Sequence, residues 1–275
     1  MADLATQRPP TGDDILRRVM AEVRSDTPYR FSCTFRRQIQ VNGVAEGPAL
    51  VWNLDADRES PSRLRVTVEL PHEEADQNVQ TVQVIAHDGL AAYSLDGTHW
   101  GRLSASTAAY AAALPQVLTS FDDTAGQTRT ETVGDDVQRI VGPLTAAFQT
   151  NIGLIMGLED ARLATALRGA HGAFVAQVRD SDPHTLWEEV SARVTFNNDV
   201  AEDYLITFQP RDFWQEIVVR QPEFDPNVPA LRSLAEVAAC AQMQEIEHMV
   251  IDQNVATPPW YHQLGGRAPL DNPAE

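Results

Sequence analysis

The stretch "VIAHDGLAAYSLDGTHWGRL", Val84 to Leu103, decides the fold: a strand, a tight turn, a returning strand, a second tight turn and a tryptophan. Asp88-Gly89 and Asp96-Gly97 each close an apolar run, and glycine supplies the positive φ that such turns require. The same grammar extends upstream. "RLRVTVEL" (Arg63 to Leu70) alternates so that Leu64, Val66, Val68 and Leu70 share one face, and "VQTVQVIA" (Val79 to Ala86) does so through Val82 and Val84. "FSCTFRRQIQV" ends at an Asn42-Gly43 turn and pairs with "ALVWNLDAD" as a hairpin. Residues 30–103 therefore read as an antiparallel meander.

Other elements flank it. Ile15, Leu16, Val19, Met20 and Val23 form a helical stripe to about Arg24, capped by Thr11 or Asp13. Helices are expected over Ser104–Phe121 and Leu144–Arg168, with a strand pair turning at Gly134-Asp135 between them. Sheet resumes in "GAFVAQVRD", in "LWEEVSARVTF" with Val190, Ala192, Val194 and Phe196 on one face, and in "DYLITFQP" and "WQEIVVRQP". "EFDPNVP" reads as a linker, Ala230 to Gln253 as a helix, and the rest as a Pro-rich tail. The expected sum is nine to eleven antiparallel strands. The expected division is a flexible segment 1–12, a sheet domain 13–226, and a C-terminal helix with tail 227–275.

Composition excludes several function classes. The formal charge of -18 disfavours nucleic acid and anionic membrane surfaces. Only "RFSCTFRR" approaches a basic patch, and its arginines alternate with apolar residues as on the solvent face of a strand. All 21 basic residues are arginine. A P-loop lysine, a pyridoxal Schiff base and a biotinyl or lipoyl attachment site are therefore impossible. No apolar run is long enough for a transmembrane helix: "LTAAFQTNIGLIMGL" (Leu144 to Leu158) is short and carries Gln149 and Asn151. Cys33 falls in phase with Phe31 and Phe35, so a buried thiol is the default. A Cys33–Cys240 disulfide is the alternative in an oxidising compartment.

A long antiparallel sheet must cover its apolar face, by closing into a barrel or by taking helices across it. Any space left unfilled is an apolar cavity. Pro61, Arg63, Leu64, Val66, Asp88, Gly89, Tyr93 and Trp100 stand in an order and spacing that resembles the LolA/LppX-type lipoprotein-carrier superfamily. "DPHTLWEEVSARVTF" and "DYLITFQPRDFWQEIVVRQPEFD" suit its closing strands, so the resemblance runs from about Asp14 to Pro226. It implies an α+β fold: a large curved antiparallel sheet, an open half-barrel with helices on its concave face, plus helices at both ends. It also implies a non-enzymatic carrier of a lipid or other lipophile. The expected lining is Leu64, Val66, Val68, Val82 and Val84 from strands, with Leu154 and Ile155 from the central helices. Export would follow from the resemblance if a leader has been removed; the polar start "MADLATQRPPTGDD" otherwise fits the cytoplasm.

The alternative is an interaction module with a filled sheet face. It would bind a protein partner through the C-terminal helix and the exposed Trp260 and Tyr261, and would lose that segment without unfolding. Catalytic signatures were sought beside both. The seven histidines form no HxH or HExxH spacing. "HTLWE" (His184, Glu188) and "EIEH" (Glu245, Glu247, His248) read as solvated polar residues rather than ligand pairs. Asp55 and Asp57 lack the rest of a calcium loop and read as a turn. Trp52, Tyr93, Trp100, Trp187, Tyr204, Phe208, Phe213 and Trp214 read mostly as core. No metal, cofactor or catalytic residue is implied.

Overall fold

The computed structural model describes residues 11–70, 72–73, 79–104, 128–134, 136–143, 171–179, 181–195, 199–232, 236–237 and 239–241. The expected helices between residues 105 and 168, with Leu154 and Ile155, lie outside these residues, as does the tail with Trp260 and Tyr261.

The first helix, α1 (Gly12–Arg24), begins at Thr11, whose hydroxyl accepts from the Asp14 N–H while the Asp14 carboxylate accepts from the Thr11 N–H. This reciprocal capping box satisfies two otherwise orphaned donors. The helix buries Ile15, Leu16, Val19, Met20 and Val23. The strands that follow are β1 (Tyr29–Val41), β2 (Val44–Ala45), β3 (Leu50–Ser60), β4 (Arg63–Glu69), β5 (His72–Glu73), β6 (Thr81–His87), β7 (Leu90–Ser94) and β8 (Gly101–Leu103). After them come β9 (Arg129–Thr132), β10 (Val137–Pro143), β11 (His171–Arg179), β12 (Trp187–Thr195) and β13 (Val200–Arg211).

All thirteen belong to one antiparallel sheet, ordered β8-β7-β6-β4-β3-β1-β13-β12-β11-β10-β9, with β2 and β5 pairing at its margins. The two short marginal strands account for the excess over the expected count. The sheet does not close, because β8 and β9 stand at its opposite ends: it is an open half-barrel. Its centre is the long pairing of β1 with β13, which joins the two halves of the sequence over twelve residue pairs from Arg30↔Arg211 to Val41↔Val200. Turns fall where the sequence places them. Asn42 and Gly43 carry φ of 53° and 76°, and Asp88 and Gly89 carry 47° and 86°. Strand alternation sends one set of side chains inward onto a single core, which α1 shares.

Two expectations fail. "WQEIVVRQP" is not a strand: beyond Arg211 the chain leaves the ladder and runs as a strap across the outward face. There Ile217 and Val219 bury Ile85, the Glu59 carboxylate accepts from the Val219 N–H at 2.7 Å, and Arg65 donates to the Val218 carbonyl. Alternating apolar residues produced the strand signal, but their partners are outward side chains rather than a neighbouring strand. "EFDPNVP" is not a linker either. It covers the β8 edge, with the Asp225 N–H bonded to the Trp100 carbonyl, the Leu231 N–H to that of Arg102, and the Tyr93 hydroxyl donating to the Pro229 carbonyl. Residues 236–237 and 239–241 are helical, and Val237, 0% exposed, sits in the main core.

Candidate functional site

The inward face divides into two halves of different character. On β3, β4 and β6 the alternation places Leu54, Ala56, Leu64, Val66, Val82 and Val84 inward and buried, with Val68 half-buried beside them. Register makes them neighbours: Val66 lies opposite Ala56 and Val84, and Val68 opposite Leu54 and Val82. The five strand residues expected to line a cavity thus form one apolar wall. Arg58, in the same phase, ends it. Its guanidinium donates to the Ser25 and Thr27 carbonyls at 2.7 and 2.9 Å and lies over the Tyr29 ring at 4.8 Å, tying the exit of α1 to β3.

On the half built by β1 and β10–β13, the inward row includes Phe31, Cys33, Phe35, Phe174, Ile206 and Phe208. Two polar groups interrupt it. Toward one end of β13, Arg37 pairs with the Glu202 carboxylate, which also accepts from the Tyr204 hydroxyl; burial raises that phenol well above its usual range. Arg37 therefore departs from the solvent-face reading of "RFSCTFRR". It falls in the odd-numbered phase of Phe31, Cys33 and Phe35, and the inward row simply ends on a charge.

The second interruption is Glu188 on β12. It is 1% exposed, and neither Oε1 nor Oε2 has a hydrogen-bond partner among the described residues. Its cross-strand neighbours are Phe208 and Ala176, and its neighbours in phase along the chain are Leu186 and Val190, all buried. Burial alone pushes its carboxyl well above the usual glutamate value. A neutral carboxyl offers one donor and one acceptor. Cys33, opposite Phe208 on β1, has its thiol raised chiefly by burial, the reverse of what a nucleophilic cysteine needs.

The expected solvated reading of "HTLWE" fails for Glu188. The two candidate ligands of that segment, His184 and Glu188, take different surroundings. His184 lies in a short 3-10 turn (Pro183–Thr185), between the Glu22 and Asp182 carboxylates and against the rings of Phe213 and Trp214. Glu188 turns into the core. Its signal was present in the sequence: it lies two residues before Val190 in the same phase as Ala192 and Val194.

Cys33 and Cys240 are both free thiols. No disulfide joins them: Cys33 is buried mid-sheet on β1 and Cys240 is half-buried. Asp55 and Asp57 are not in a turn but on the outward face of β3, paired with Arg211 and Arg30. Of the aromatics, Tyr93, Tyr204 and Phe208 are core, and Trp52 stacks on Phe35 at 5.3 Å. Trp214 departs, 61% exposed at the start of the strap with φ of 60°. The His248 cluster lies outside the described residues.

No protein-family model matches the chain, and none of the curated proteins matches it in sequence. Among solved structures it is similar to a LolA superfamily protein from Nitrosomonas europaea, with 10% identity over 78% of this chain and 96% of that one and a TM-score of 0.27.

Proposed function

We propose that this chain is a non-enzymatic carrier that holds a lipid or other lipophilic molecule against the inward face of its open sheet. The observation that supports the reading most is the apolar wall of β3, β4 and β6, where Leu54, Ala56, Leu64, Val66, Val82 and Val84 adjoin without a polar side chain between them. Such a wall binds by area: each methylene taken from water contributes about 0.8 kcal/mol. Specificity for head group or chain length would then come from the few polar groups that border the wall.

The test is native mass spectrometry of the purified full chain, followed by organic extraction and titration with a fluorescent fatty acid. A co-purifying lipophile near one per chain, or saturable binding of the probe, is the expected result. A ligand-free mass together with absent probe binding would overturn the carrier reading and leave an interaction module with a filled face.

A further inference from the structure

Among the described residues, Glu188 is the buried carboxyl with neither oxygen hydrogen-bonded. Buried carboxyls in folded proteins are paired, hydrogen-bonded or functional, since an unmet polar group in an apolar setting carries the full cost of its desolvation. Here both oxygens stand without partners among the described residues, between Phe208 and Ala176 across the sheet and Leu186 and Val190 along it. The inward residues of α1 are Ile15, Leu16, Val19, Met20 and Val23, none able to donate from a side chain and only the Met20 thioether a weak acceptor. The two inward arginines with described contacts are already engaged, Arg37 with Glu202 and Arg58 with the Ser25 and Thr27 carbonyls. Ala176 directly opposite offers nothing beyond a methyl group.

We propose that Glu188 is the head-group contact of the carrier site: its carboxyl hydrogen-bonds the uncharged hydroxyl of an otherwise apolar ligand, such as a long-chain alcohol. The inference rests on the carrier reading and adds the ligand's polar chemistry to it. A neutral carboxyl both donates and accepts, which matches a hydroxyl that does the same. Apolar neighbours on all four sides favour a pairing that brings no net charge into the core. A cationic amine would require the carboxylate to persist there, and a fatty carboxylate would add a second anion beside an acid.

The experiment uses the full chain and displacement of diphenylhexatriene, an apolar fluorophore without a hydrogen-bonding group, by dodecanol, dodecane and dodecylamine. The wild-type protein is expected to bind dodecanol about tenfold tighter than dodecane, the ratio that one net hydrogen bond supports. Glu188→Leu is expected to abolish that preference while leaving dodecane and diphenylhexatriene affinity within about twofold. Glu188→Gln keeps a donor and an acceptor and is expected to retain the preference, which guards against a folding defect in the leucine variant. An equal preference in wild type and Glu188→Leu would overturn the assignment of the contact, as would no preference in the wild type, which would mean that a buried water or another group meets the carboxyl. Tighter binding of dodecylamine would overturn the uncharged head group. Failure of diphenylhexatriene and dodecane themselves to bind would instead sink the carrier reading.

Discussion

Glu188 ties local phase to global stability. In the unfolded chain a glutamate titrates near about 4.3; in the fold its value is raised by burial. Below the unfolded value both states carry the proton, and the site's stability is fully present. As pH rises, the unfolded chain releases its proton while the folded chain holds on, so stability falls by about 1.4 kcal/mol per pH unit until the folded value is passed. Glu188→Leu removes the titration and the unmet polar group together. Its urea midpoint is expected to exceed that of the wild type, reflecting a gain on the order of 1–3 kcal/mol in unfolding free energy at neutral pH, and the gap should widen as pH is raised from about 4.5. Parallel pH profiles for the two proteins would show that the folded carboxyl titrates as it does in the unfolded chain. The residue was legible in outline: strict alternation through Val190, Ala192 and Val194 assigns position 188 to the core. Residue type alone argues for an exposed glutamate there, and residue type cannot see the neighbours that decide it.

Among the elements, strands and turns were the most readable part. The inward positions of β3, β4 and β6 follow from period-two patterning, and the Asn42-Gly43 and Asp88-Gly89 turns from residues that tolerate positive φ. The strap was not readable. Ile217 and Val219 alternate as a strand would, and nothing local distinguishes burial against the outward Ile85 from burial within a ladder. What fixes the strap is a set of distant contacts converging on β8. A Cβ on Gly101 would lie 2.5 Å from Tyr93 Cε1 and 2.6 Å from Val228 Cγ1, so ring, strap and strand meet where only hydrogen fits. The Tyr93 hydroxyl is anchored on the Pro229 carbonyl at 2.8 Å, which limits how far the ring can yield. Gly101→Ala is therefore expected to lower stability by about 1–3 kcal/mol, the range for overpacking a tight core. Thermal unfolding checks it; an unchanged midpoint would mean that the strap gives way freely and is not part of the β8 packing.

At the scale of the whole molecule, an open sheet has two edges to protect. The β9 edge is short and carries Arg129 and Glu131, charges that discourage pairing with another sheet. The β8 edge is closed by the chain itself. The strap starts at the end of β13, crosses the outward face over Ile85, rounds the edge through the bridges Trp100↔Phe224 and Leu103↔Leu231, and delivers Val237 to the inward core. Residues 212–232 thus cover the outward face and the edge, and Val237 reaches the inward core. Two truncations separate these roles. A chain ending at Leu231 keeps the strap but loses Val237, whose burial alone is worth about 1.5–3 kcal/mol; it is expected to stay monodisperse and to unfold at lower denaturant. A chain ending at Arg211 also uncovers Ile85 and the backbone groups of β8, and is expected to self-associate through that edge in size-exclusion chromatography. Equal elution of both truncations as monomers would show that β8 needs no cover, and would reduce the strap to a passive connection between β13 and the C-terminal helix.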